Sequence, residues 1–158
     1  MTLEICYLCG IAIEGVISRD HVPPQQLFAP AIRKQFKLTD LITRPSHPEC
    51  NNAYGRDEEY AINAMTPLAR GSIAADALAK HHADRFQAGK SVGLGKKILA
   101  SFDNRPSGLH LPGGRVAMKV EGARIRRVMW KIVRGLWSFS TTPYFRKQLL
   151  LAWRPENR

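Results

Sequence analysis

With 158 residues the chain fits one domain, or a small domain with an extension, and a hydrophobic fraction of 44% excludes wholesale disorder. No run approaches the roughly 18 apolar residues of a membrane span. The densest stretch, residues 149–153, is far shorter, and the N-terminus has no basic segment leading into an apolar one, so a cytoplasmic protein with no membrane partner is expected. The net charge of +11 is unevenly placed: residues 1–90 hold 10 Lys/Arg and 10 Asp/Glu, whereas residues 91–158 hold 14 against 3, the whole of the excess. That asymmetry points to a polyanionic partner, nucleic acid ahead of an acidic membrane surface.

In chain order, residues 5–17 read as a knuckle followed by a short strand or hairpin, with Gly10 and Gly15 as turn residues. Residues 25–36 predict a short helix interrupted at Pro30. Residues 38–44 look extended, and a helix is expected from Asn51 to about Met65. After Pro67 and Gly71 an Ala-rich helix spans about residues 73–86, followed by a glycine-containing joint at 87–95 and a turn or two of helix at 96–102. Residues 106–114 hold two prolines and three glycines and form a loop; residues 115–120 alternate as a strand. Residues 121–137 predict a strong helix. Ile125, Val128, Ile132 and Leu136 make its apolar stripe, and Arg124, Arg127, Lys131 and Arg134 make a cationic one about 100° away. No acid interrupts the second stripe, which favours a face turned to phosphates.

The three cysteines sit as Cys6-x-x-Cys9 and His47-x-x-Cys50, two knuckles of equal internal spacing with 37 residues between Cys9 and His47. Their odd number argues against a disulfide framework. Three thiolates and one imidazole instead make a closed tetrahedral set of the kind that holds structural zinc.

Between the knuckles lies Asp20-His21-Val22-Pro23-Pro24. Here the sequence resembles the HNH endonucleases, whose pattern is Cys-x-x-Cys, an Asp-His followed by an apolar residue and proline, a middle Asn, and a second knuckle followed by Asn or His. It is similar in particular to a subgroup with D/E-H-x-P-P-x-x-L-F, L-I-T-x-P-S, C-N-N and D-E-E-Y, all present at residues 20–28, 41–46, 50–52 and 57–60. A later K-I-V-R-G-L helix matches residues 131–136. The resemblance is tight over residues 6–60 and loose beyond.

It implies an α+β fold: a small zinc-bound ββα-metal (treble-clef-like) core in residues 1–66, followed by a mainly helical, strongly basic extension in residues 67–158. It also implies a metal-dependent nuclease acting on DNA ahead of RNA. In that reading His21 is the general base, imidazole being the side chain suited to moving protons near neutral pH. Asp20 and the amide oxygen of Asn51 hold Mg²⁺ or Mn²⁺, while Cys6, Cys9, His47 and Cys50 hold structural Zn²⁺.

Three positions depart from the pattern. Asp40 stands where the family has Asn, and an ionised Asp only accepts hydrogen bonds when orienting His21. His47 replaces a cysteine, which preserves the zinc chemistry. Tyr54 replaces a Lys four residues after the last knuckle cysteine, so the phosphate contact falls to Arg56 or to Arg124, Arg127, Lys131 and Arg134. Asp57, Glu58 and Glu59 read as a solvated patch near a helix start. Trp130, Trp137 and Trp153 read as core or interface residues rather than base-stacking ones. The contrasting expectation is a non-catalytic zinc module that binds nucleic acid or a protein partner. A homodimer, or membership of a larger defence or phage complex, stays open.

Overall fold

A computed structural model describes residues 4–69 and 71–140. The apolar run at 149–153, including Trp153, lies outside the described residues. The chain is mixed: five α-helices and two small antiparallel sheets among the described residues. No helix among them is long and apolar enough to cross a membrane. Contacts divide the chain into two compact units. Unit one comprises Met1–Gln25, Asp40–Gly55 and Val128–Arg158; unit two comprises Gln26–Thr39 and Arg56–Arg127.

Unit one begins with the first knuckle. Gly10 donates its N–H to the Cys6 carbonyl at 2.8 Å, and the Cys6 N–H returns to Ile11 at 2.9 Å. This tight turn needs a left-handed residue after Cys9, and Gly10 supplies it at φ 78° without a Cβ clash. Strand β1 (Ser18–His21) pairs antiparallel with β2 (Thr43–Ser46), with Ser18 opposite Ser46 and His21 opposite Thr43. The knuckle joins the same sheet through the Tyr7 N–H, which reaches the Pro45 carbonyl at 3.1 Å. Pro45 has no N–H to give, so it suits a two-stranded sheet in which both strands are edges. Helix α2 (Pro48–Met65) follows directly, with Pro48 at its first position, where a missing N–H costs nothing. Its start lies three residues before the expected Asn51. Buried Cys6, Leu8 and Ile13, with Tyr7, Cys50 and Tyr54 against them, form a small apolar cluster.

In unit two, helix α1 (Pro30–Gln35) begins at the proline expected to interrupt it, because Pro is tolerated in a first turn. Helices α3 (Ile73–Gln87) and α4 (Val92–Leu99) follow. Ser72 caps α3 by accepting from the Ala75 N–H at 3.2 Å. Helix α4 starts four residues earlier than the glycines of 87–95 suggested. A Cβ on Gly95 would meet the Phe86 ring at 2.6 Å, so this glycine is there for close packing and not to break the helix. The expected strand at 115–120 shrinks to β4 (Ala117–Met118), paired with β3 (Phe102–Asp103). Two apolar clusters hold the unit. One is Ala29, Ile32, Ile62 and Leu78; the other is Tyr60, Ala64 and Ile98, joined by Leu94, Phe102, Met118 and Ile125.

Helix α5 (Gly122–Ser140) was legible, and its buried side matches the expected apolar stripe only in part. Val128, Lys131 and Gly135 are its buried residues, whereas Leu136 of the predicted apolar stripe is 42% exposed. Within unit one the reason is steric. A Cβ on Gly135 would lie 2.5 Å from both Val22 methyls, and Val22 is itself 1% exposed. Gly135→Ala should therefore destabilise the protein. Overpacking of about 1–3 kcal/mol outweighs the roughly 1 kcal/mol of helix propensity gained. Chemical denaturation should show this loss, and adding Val22→Ala should restore most of it.

Candidate metal centre and acidic site

Two groups of chemically active side chains lie in unit one. In the first, the ligand atoms of Cys6, Cys9, His47 and Cys50 all lie within 4.8 Å of one another. Cys9 Sγ is 3.4 Å, and Cys50 Sγ 3.8 Å, from His47 Nδ1. A tetrahedral zinc ion, with bonds of about 2.0–2.3 Å, spaces neighbouring ligands about 3.5–3.8 Å apart. The set therefore fits such an ion, and the pairing of the knuckles expected from spacing is what the fold produces. Burial raises the Cys6 thiol, but hydrogen bonds from the backbone of His47, Cys9 and Leu8 outweigh it and bring its pKa down to about 6. Cys50 moves the other way, to about 12, through burial first and then its bond to Cys9 and the charge of Cys6. Three thiols held this close cannot all ionise without a cation among them.

If these residues hold zinc, the purified chain should carry about one equivalent of it by elemental analysis. Cys9→Ser should reduce that content, and stripping the metal with a strong chelator should lower the melting temperature. So small an apolar cluster does not hold a fold without a staple.

The second group centres on Asp20, which is 5% exposed on the inward side of β1. Tyr7 donates its hydroxyl to Asp20 Oδ2 at 2.6 Å. The Asn51 amide, on the first turns of α2, lies 3.1 Å from Oδ1 and 3.2 Å from Oδ2. Oriented with its nitrogen toward the carboxylate, it donates there and accepts from the Ser18 hydroxyl at 3.0 Å. Turned over, it donates to Ser18 at 3.0 Å and sets three oxygens face to face. Neighbouring ligands of an octahedral Mg²⁺, at about 2.1 Å from the ion, lie about 3 Å apart. Only with the amide oxygen turned to the carboxylate would Asp20 and Asn51 offer that spacing to such an ion.

A cation of the chain's own already contacts this carboxylate. Lys131 Nζ lies 2.8 Å from Asp20 Oδ2 and 3.0 Å from Oδ1, with none of its side chain exposed. It also stands 5.4 Å over the Tyr54 ring, at the position where the HNH pattern has a lysine.

His21, the next residue along β1, is half-buried and alternates to the other side of the strand from Asp20. Asp40 is exposed, three residues before β2, and has no hydrogen bond to His21.

The cationic stripe of α5 meets acceptors of the protein itself. In unit one Arg134 donates to the Leu8 carbonyl at 3.1 Å. In unit two Arg124 and Arg127 share the Asp57 carboxylate at 2.7 and 2.8 Å, and Arg124 also reaches the Arg56 carbonyl. Arg56 and Arg126 are exposed. Asp57 is thus no solvated helix-start acid, its side chain being only 14% exposed. Trp130 and Trp137 are 59% and 71% exposed, outside any core.

Sequence reading missed Tyr7 and Lys131 as partners of Asp20. Tyr7 carried no signal beyond lying between knuckle cysteines, and Lys131 was masked by the other cations of its stripe. No family model, curated protein or solved structure matches this chain.

Asp57→Ala should cost about 1–2 kcal/mol, since it strands one largely buried and one half-exposed arginine. Urea denaturation of the variant, beside Arg127→Ala as the milder case, measures it.

Proposed function

We propose that the protein is a metal-dependent HNH endonuclease that hydrolyses phosphodiester bonds in DNA, with residues 1–66 as its zinc-stapled ββα-metal, treble-clef-like core. The observation that carries this reading is the convergence of Asp20 from β1 and Asn51 from α2 to 3.1 Å, beside a Cys₃His cluster. β1 supplies Asp20 and α2 supplies Cys50 and Asn51, and these are residues the HNH resemblance selects.

In this reading Asp20 and Asn51 hold Mg²⁺ or Mn²⁺, which when bound supplies Lewis-acid stabilisation of the charge that develops on the phosphate. His21 takes the proton from the attacking water at a ring nitrogen. Its half-buried place on the far side of β1 leaves the imidazole clear of the carboxylate cluster. The Cys₃His cluster, with zinc, fixes the first knuckle against the start of α2. It thereby sets the distance from β1 to Asn51. Exposed Arg56 and Arg126 offer phosphate contacts, and half-exposed Arg127 could add one by giving up its pair with Asp57.

Two observations favour a second reading, a zinc module that binds nucleic acid without cutting it. The Asp20 carboxylate is already occupied by Lys131, Tyr7 and Asn51, and Asp40 has no bond to His21.

Plasmid relaxation by zinc-loaded protein with Mg²⁺, Mn²⁺ or EDTA separates the two. Nicking should require added divalent metal, and His21→Ala should lower it at least about 100-fold while keeping zinc and fold. DNA binding by both proteins with no cutting under any metal would replace the nuclease by the binding module.

A further inference from the structure

We infer that Lys131 is a built-in counterion of the Asp20 site, which a divalent ion must displace before the site can work. The inference rests on the reading of Asp20 and Asn51 as metal ligands and adds the residue that sets their affinity. Lys131 was expected on a phosphate-facing stripe, and it is instead 1% exposed, the largest fully buried side chain among the described residues. Its ammonium bridges both carboxylate oxygens, at 2.8 and 3.0 Å, the two atoms that Asn51 also approaches. Tyr7 takes a further lone pair of Oδ2.

A carboxylate so surrounded has no face left for a hydrated Mg²⁺ or Mn²⁺. Either ion would also stand within a few ångströms of a buried like charge, where repulsion is weakly screened. Ion entry therefore requires Lys131 to leave Asp20. Lys131 sits mid-helix, with buried Gly135 one turn on pressed against Val22. Its departure thus means either a swing of its four-carbon stem or a shift of that part of α5. The contact over Tyr54 gives the ammonium a second attraction to overcome.

The test uses Mn²⁺ as probe on the full, zinc-loaded chain, with free Mn²⁺ counted by electron paramagnetic resonance. Lys131→Gln keeps a hydrogen-bond donor for Asp20 but removes the charge, and should bind Mn²⁺ at least about ten-fold more tightly than wild type. Asp20→Asn should abolish that binding. In wild type, acylation of lysines read by peptide mass spectrometry should find Lys131 protected without Mn²⁺ and modified at saturating Mn²⁺. This second measurement decides the matter should Lys131→Gln fail to fold. Equal Mn²⁺ affinity in wild type and Lys131→Gln, with Asp20→Asn still abolishing it, would overturn the counterion role and leave Asp20 a metal ligand. Lys131 still protected at saturating Mn²⁺ would do the same. Absence of any Asp20-dependent Mn²⁺ binding in every protein would remove both the ligand assignment and the inference.

Discussion

A carboxylate buried to the extent of Asp20 must be matched by positive charge and hydrogen-bond donors, because isolated burial of the ion would cost several kcal/mol. Asp20 finds its charge 111 residues away, in Lys131, and its donors in Tyr7 and Asn51. Four segments of unit one therefore meet at a single pair of oxygens: the first knuckle, β1, the start of α2 and the second half of α5. Such a pair contributes little net stability, since desolvation of two ions offsets most of their attraction. What it imposes is position. It holds Lys131 on the buried side of α5, where Gly135 also packs, while Met129, Trp130, Val133, Leu136 and Trp137 are exposed.

The Cys₃His cluster sets the second constraint. The apolar cluster beside it is three buried residues with three partners, too little to hold knuckle, sheet and helix together unaided. Four ligands within 4.8 Å, one of them a thiol already drawn toward its ionised form by backbone hydrogen bonds, provide the missing connection once a cation is bound. Staple and acidic site share elements: Cys50 and Asn51 are neighbours on α2, and Tyr7 lies between Cys6 and Cys9. Under the proposed nuclease reading, loss of the staple would be felt at Asp20 through Tyr7 and Asn51, without either residue being altered.

Much of this was readable in the chain because it is local. Knuckle spacing depends on a few bonds of backbone, so Cys6, Cys9, His47 and Cys50 could be grouped before any fold was known. Helices α3 and α5 follow from side-chain periodicity and from breakers such as Gly71, and were placed to within a few residues. Boundaries shifted where a local rule was ambiguous: Pro30 and Pro48 start helices as readily as they end them, and Gly95 is required by the Phe86 ring.

The sequence by itself determined the grouping of Cys6, Cys9, His47 and Cys50, the order of elements, the adjacency of Asp20 and His21 on opposite sides of a strand, and the basic bias of the second half. Tertiary structure alone decided what the charges of α5 do. Periodicity places Arg124, Arg127, Lys131 and Arg134 on one stripe, but it cannot say whether that stripe meets solvent, phosphate or protein. The answer depends on acceptors far along the chain: Asp57 for two of them, the Leu8 carbonyl for one, and Asp20 for Lys131. Pairing of charges across long loops is set by which surfaces pack, and only folding brings those surfaces together.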